Sequence, residues 1–182
     1  MLRIEGYVIV SADGMIADAN GVMPASIQND ADQHFFQDGL DHAAALVHGR
    51  HSHEGGPRAA RRKRLVVSRQ IAAIAPNPNY PNALFWNPTG ATLEQALAHL
   101  EVTDSIVAII GGTGVFSMFL PRYDAFHLSH AAHAKIPGGR PVFAAVGPHA
   151  TPEDVLMQHG LKPGPRRELD PAAGVSEVTW TR

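Results

Sequence analysis

Gly111, Gly112 and Gly114, with Thr113 between them, follow an apolar run at residues 106–110. The run has no polar alternation, so it reads as a strand buried on both faces. Glycine lets backbone pass close to a ligand or take dihedrals that a Cβ forbids. Val115, Met118 and Phe119 then have helix-compatible spacing. A helix start offers unpaired N–H groups and the positive end of its dipole, which together favour a phosphate. The spacing is not the usual G-x-G-x-x-G, and a tight strand–helix turn without a ligand is the other reading the same glycines allow.

Further polar groups gather where strands are expected to end: Ser11 to Asp13, Gly49-Arg50-His51-Ser52, and Ser68-Arg69. Open α/β sheets bind ligands outside the carboxyl ends of their strands. Arg50 and Arg69 taken alone read as solvated surface charge. The basic run Arg58, Arg61, Arg62, Lys63 and Arg64 reads as a solvated loop or as anion capture. Eleven histidines raise the question of a metal. Their clusters are His51 with His53, and His127, His130 and His133. His127 and His130 on one strand point to opposite faces, and no cysteine or well-placed carboxylate completes a ligand set, so no metal site is expected. His53 is not assigned.

The elements that must position these groups follow from periodicity. Residues 3–11 read as a strand with Ile4, Val8 and Val10 on one face. Asp13-Gly14 and Asn20-Gly21 mark turns in the following loop. A helix is expected over residues 30–41, with Asp30 and Gln33 able to form a capping box and Phe36 and Leu40 on one face. Residues 43–48 and 64–68 read as buried strands. The Pro- and Asn-rich stretch 70–88 reads as irregular. Thr92 and Gln95 cap a helix carrying Leu93, Ala96, Leu97 and Leu100. Residues 125–131 and 142–146 read as strands. A short helix after Thr151-Pro152 stops at Gly160. Residues 175–181 form a last alternating strand, which could close the sheet or join a partner's edge. The order predicts an α/β fold over residues 1–182 as one domain, with a mostly parallel central sheet, an antiparallel C-terminal edge and helices on both faces.

With 182 residues, 45% hydrophobic and 18% charged, the chain can build a proper core. A formal net charge of −2 argues against a general nucleic-acid binder. The absence of cysteine excludes disulfides, thiol catalysis and thiolate metal sites. No signal peptide or membrane span is evident in the sequence, so a cytoplasmic enzyme without membrane partners is expected.

Four segments in order carry a resemblance to the dihydrofolate reductase superfamily. That superfamily includes dihydrofolate reductase itself and the reductase domain of riboflavin biosynthesis proteins. The segments are Asp13-Gly14-Met15-Ile16-Ala17, Val22-Met23-Pro24 leading to Asp30, Gly49-Arg50-His51-Ser52, and Ile110-Gly111-Gly112. The likeness spans roughly residues 3 to 146, with a weaker echo through Leu120-Pro121 and Ser129-His130. Val22-Met23-Pro24, the 49–51 turn and Leu120-Pro121 resemble true dihydrofolate reductase. Ser11 to Ala17 and Pro137 to Phe143 look more like the riboflavin-type enzyme. Ala25 stands where the dihydrofolate pattern has tryptophan.

The resemblance implies an oxidoreductase with NADPH as hydride donor and a pterin-like substrate. A ribosylamino-pyrimidine is the riboflavin-type alternative, and a non-catalytic NADPH-binding protein is the reading outside enzymes. By the same likeness Gly111, Gly112, Thr113 and Gly114 approach the cofactor pyrophosphate, and Gly49, Arg50, His51 and Ser52 add phosphate contacts. Ser68 and Arg69 fall where the adenosine 2′-phosphate is held. Counting from Met23-Pro24, Asp30 falls on the catalytic carboxylate in an apolar pocket, although a helix cap fits its position equally well. Asp32 is then expected to be exposed. Val8, Phe36, Arg62 and Ser129 are implied on the substrate side. Riboflavin-type relatives commonly dimerise, so a homodimer is a further expectation.

Overall fold

The computed structural model describes residues 1–52 and 58–182. Strand β1 (Arg3–Ser11) enters first and sits near the centre of a nine-stranded sheet. A short β2 (Met15–Ala17) and a 3₁₀ turn at Ala25–Ile27 lead to helix α1 (Asp30–His42). The chain then adds β3 (Ala45–Gly49), β4 (Arg64–Val67), β5 (Ile74–Pro76) and β6 (Ala83–Trp86). After α2 (Leu93–Ala98) it returns as β7 (Ile106–Gly111) between β1 and β3. Helix α3 (Thr113–Met118) leads to β8 (Ala125–Ala131) on the other side of β1. A two-residue β9 (Arg140–Pro141) pairs with β2, and α4 (Pro152–Gln158) precedes the hairpin β10 (Lys162–Asp170) and β11 (Val175–Thr181).

The order β10-β11-β8-β1-β7-β3-β4-β6-β5 is parallel from β8 to β6 and antiparallel at both margins. The continuous apolar runs have the expected cause. Ala45, Val47, Val107 and Ile109 pack with Leu93, Leu97 and Phe116 from α2 and α3. The intervening Leu46 and Ala108 pack with Leu40 of α1 on the opposite face. Period-two alternation therefore exists, but helices cover both sides and no polar face is needed. Close packing shows at Gly6, where an added Cβ would lie 2.3 Å from Phe126 Cδ2.

Several expectations are corrected. Residues 142–146 are not a strand. Val142 and Phe143 are fully buried, but Phe143 packs on Phe116 and Phe126 instead of pairing through its backbone. Stretch 70–88 holds β5 and β6, because an edge strand tolerates Pro76 and β6 needs only the short Ala83–Trp86 run beside β4. Strand β10 was not anticipated. It is exposed along most of its length, so hydrophobic periodicity could not reveal it. It also takes the sheet margin, leaving β11 paired on both sides with no edge to offer a partner. The cap of α1 is Asn29, whose side chain accepts from the Asp32 N–H, and Asp30 is the first helical residue. Among the described residues no helix is long and apolar enough to cross a membrane.

Candidate active site

The cleft originates in strand register. β1 pairs with β7 only from Arg3↔Ile106 to Gly6↔Ile109, whereas its pairing with β8 runs on to Ser11↔Ala131. Beyond Gly6 the two parallel strands part, and a cavity of about 590 Å³ opens between their carboxyl halves. Tyr7, Val8 and Ile9 line it from β1, and Ile110 and Gly111 from β7. Helix α1 contributes Asp32, Gln33, Phe36 and Gln37. The loop after β1 covers it with Ile16, Ala17, Gly21, Val22 and Met23. Val22 and Met23 are exposed, a large apolar surface presented at the rim.

At one end the turns after β3 and β7 converge. Gly111 has φ of +119°, and an added Cβ would lie 3.1 Å from Phe116 Cε2 and 3.5 Å from Ser52 Oγ. The Gly111–Gly112 peptide is cis. At Gly112 a Cβ would meet only Ser52 Oγ, at 3.3 Å. His51 and Ser52 line the cleft beside this bare backbone, and the Ser52 N–H closes a turn on the Gly49 carbonyl. Thr113 instead turns its hydroxyl to the Pro141 carbonyl. Arg50 is exposed, and a side chain at Gly114 would meet nothing within 4 Å. Ser68 is buried at the end of β4, accepting from the Gln70 N–H, while the neighbouring Arg69 is exposed. Neither lines the cavity.

The carboxylate assignment changes. Asp30 is exposed at the start of α1 and does not line the cleft. Asp32 does, and it is only 8% exposed. The N-cap is Asn29 and not Asp30, and the first-turn side chain that faces the cleft is Asp32, two positions past the one counted from Pro24. Burial pushes the Asp32 carboxyl above the ordinary aspartate range. A hydrogen bond from Ser129 opposes that push, and the negative charge of Glu177 adds to it. Ser129 is thus not itself at the cavity surface; it is buried beneath Asp32 and holds it.

Val8 and Phe36 line the cleft. Arg62 sits behind that lining: its guanidinium donates to Gln37 Oε1 at 2.9 Å and pairs with Asp41 at 2.5 Å. Histidines 127 and 130 lie on opposite faces of β8, the first against Glu5 and Thr179, the second 2.6 Å from Glu153. Among the described residues no group of three candidate ligands gathers for a metal. His53 lies outside the described residues.

Sequence reasoning named Ile16, Ala17, Val22 and Met23 only as family segments and did not place Tyr7, Gln33 or Gln37 at the site. It had named β1 and the turn at 20–21, but nothing local says that β1 and β7 separate.

A parallel sheet with a cleft at its carboxyl edge, a buried carboxylate on one wall and a glycine turn at one end defines an α/β protein with a candidate ligand cleft. The chain belongs to the dihydrofolate reductase family, whose model, "Dihydrofolate reductase", matches residues 4–150. It is similar in fold to dihydrofolate reductase from Enterococcus faecalis complexed with NADP(H). That match has a TM-score of 0.62 at 19% identity and covers 99% of this chain and 96% of that one. It is also similar to the diaminohydroxyphosphoribosylaminopyrimidine deaminase/5-amino-6-(5-phosphoribosylamino)uracil reductase of Thermotoga maritima. There the TM-score is 0.67 at 14% identity, covering 98% of this chain and 56% of that one. A comparison with curated sequences finds no match.

Proposed function

We propose that the protein is an NADPH-dependent reductase that delivers hydride to a pterin-like ring held against Asp32. The buried Asp32 carboxyl facing the cleft carries this reading. A carboxylate there accepts hydrogen bonds from a ring N–H and an exocyclic amino group. Its position and raised proton affinity favour protonation of the imine nitrogen that becomes basic as hydride arrives. Val8, Ile16 and Phe36 supply apolar walls for a flat ring, and closing the Val22–Met23 rim over it excludes water. The residues fit a dinucleotide. The Gly111–Gly112 backbone carries no side chain to block a pyrophosphate, and among the described residues the Ser52 hydroxyl and His51 line the cleft beside it. NADPH bound there supplies the hydride. Holding two rings face to face in a dry cleft accounts for much of the remaining rate enhancement.

A riboflavin-type reaction, reducing a ribosylamino-pyrimidine, is the second reading. Exposed Ala25 favours it, since no aromatic side chain at that position closes the rim. The deciding experiment follows NADPH absorbance with dihydrofolate and with a phosphorylated ribosylamino-pyrimidine. Oxidation with the first supports the proposal, oxidation only with the second selects the alternative, and tight NADPH binding without oxidation leaves a binding protein.

Arg69 and Ser68 at the end of β4 are proposed to hold the adenosine 2′-phosphate through charge-assisted hydrogen bonds. Arg69→Ala is then expected to weaken NADPH about tenfold or more while changing NADH less than about twofold, read by calorimetry. Equal effects on both cofactors remove the assignment.

A further inference from the structure

Behind the cleft, on the sheet face covered by α1, lies a polar chain that the proposed reaction does not use. Glu5 and Glu177 are both buried, at 7% and 1% exposure, on β1 and β11. His127 of β8 lies between them. Its Nε2 faces Glu5 Oε2 at 3.2 Å, and its Nδ1 faces Thr179 Oγ1 at 3.0 Å and Glu177 Oε1 at 3.5 Å. The Thr179 hydroxyl donates to Glu177 Oε1 at 2.6 Å, so towards the ring it can only accept. Glu5 Oε2 already accepts from the Tyr7 hydroxyl at 2.9 Å. Both ring nitrogens therefore face acceptors, and every group is satisfied only when both carry protons. This setting between two carboxylates favours the imidazolium form of His127 and raises its pKa against the effect of burial. The Tyr7 ring stacks on it at 4.3 Å and Phe35 meets it edge-on at 5.8 Å.

Glu177 stands directly opposite Ser129 in the β8–β11 register, and Ser129 donates to Asp32. Taking Asp32 as the acid–base group of the reading above, we propose that Glu177, paired with His127 behind Ser129, is a positioning residue whose negative charge favours the protonated form of Asp32.

The other charged or titratable groups against this chain are few. Arg3 pairs with Glu5 from the outer end of β1, and Tyr7 contributes its hydroxyl. From β10, Arg167 lies over the Phe35 ring at 5.5 Å, and Asp170 is held by Asn29 at the cap of α1. Arg167 stands opposite Glu177 in the β10–β11 register with its guanidinium over Phe35, and Arg3 sits at Glu5; Ser129, opposite Glu177 on β8, is the one of these groups bonded to Asp32. A like charge at close range disfavours ionisation of its neighbour, which agrees with the upward displacement at Asp32.

The test follows the Asp32 carboxyl by NMR of ¹³C-aspartate-labelled free protein across pH, with Asp32→Asn identifying its signal. In Glu177→Gln the Asp32 midpoint moves to lower pH. The alkaline fall of kcat/KM moves with it, giving about three- to tenfold lower values on the alkaline side of the midpoint and little change on its acid side. The carboxamide keeps the shape and still accepts from Thr179, so a purely structural role leaves the midpoint in place; an unmoved midpoint in folded Glu177→Gln overturns the proposal. Should that variant fail to fold, ¹⁵N spectra of the unmodified protein decide. Two protonated His127 nitrogens near pH 7 support the proposal, and a neutral ring overturns it. A shifted midpoint in a protein that reduces nothing sinks the reductase reading while leaving the coupling intact.

Discussion

Asp32→Asn is expected to lower kcat for NADPH oxidation by about a hundredfold or more, the usual scale for removing a general acid–base group. NADPH binding should stay within about twofold, because Asp32 is on α1 while the glycine turn and Ser52 lie at another end of the cleft. Asp30→Asn should change neither, since Asp30 is exposed and off the cavity wall. The pair of variants separates the roles of the two carboxylates. The effect on stability runs the opposite way. Asp32 binds a proton more tightly folded than unfolded, so ionising it above the ordinary aspartate pKa costs the folded state. Asparagine removes that cost and can still accept from Ser129. The expected result is an inactive protein with a higher Tm than the parent near pH 8, measured by thermal scans beside steady-state rates. Full activity in Asp32→Asn would sink the assignment.

The second large effect concerns folding. The Glu5 carboxyl is held down to about 2, first by its hydrogen bond with His127, against burial, and with help from Arg3 and Tyr7. A depressed carboxylate stabilises the fold fully above its unfolded pKa and loses that contribution as pH falls towards the folded value. Glu5→Gln is therefore expected to lose about 2–4 kcal/mol near pH 7, because it removes one carboxylate of a buried pair and leaves His127 with Glu177 as its remaining counter-charge. Urea unfolding should show the gap between variant and parent closing as pH falls from about 4.5 to about 2. His127 works in the other direction. Its own burial opposes charging, but the bonds to Glu177 and Glu5 outweigh it and raise its pKa. Its contribution is complete below the unfolded histidine pKa and fades as pH rises through the folded one. In Glu5→Gln that alkaline loss sets in at lower pH. A parent and variant with parallel stability–pH curves would show that the pair carries no such linkage.

Local chemistry was legible where one element decides it. The Ile106–Gly111 run, the Thr92–Gln95 capping box, the Thr151-Pro152 helix start and the alternating Val175–Thr181 strand form as their residues dictate. So does the opposite placement of His127 and His130, which follows from the two-residue period of a strand. Where a buried side chain owes its burial to tertiary neighbours, local reading failed. Phe143 looked like strand because it is apolar, yet its partners are the rings of Phe116 and Phe126. β10 looked like nothing because its exposed margin imposes no pattern.

The sequence by itself determined the α/β order, the glycine turn, the absence of thiol chemistry and the family segments, since each lives in a short window of residue types. Only the tertiary structure decided which aspartate faces the cleft. That choice depends on the rotation of α1 set by its Asn29 cap, and on the parting of β1 from β7 after Gly6. It likewise assembled Glu5, His127 and Glu177, residues from three strands far apart in the chain, because sheet register and not sequence distance determines which side chains share a face.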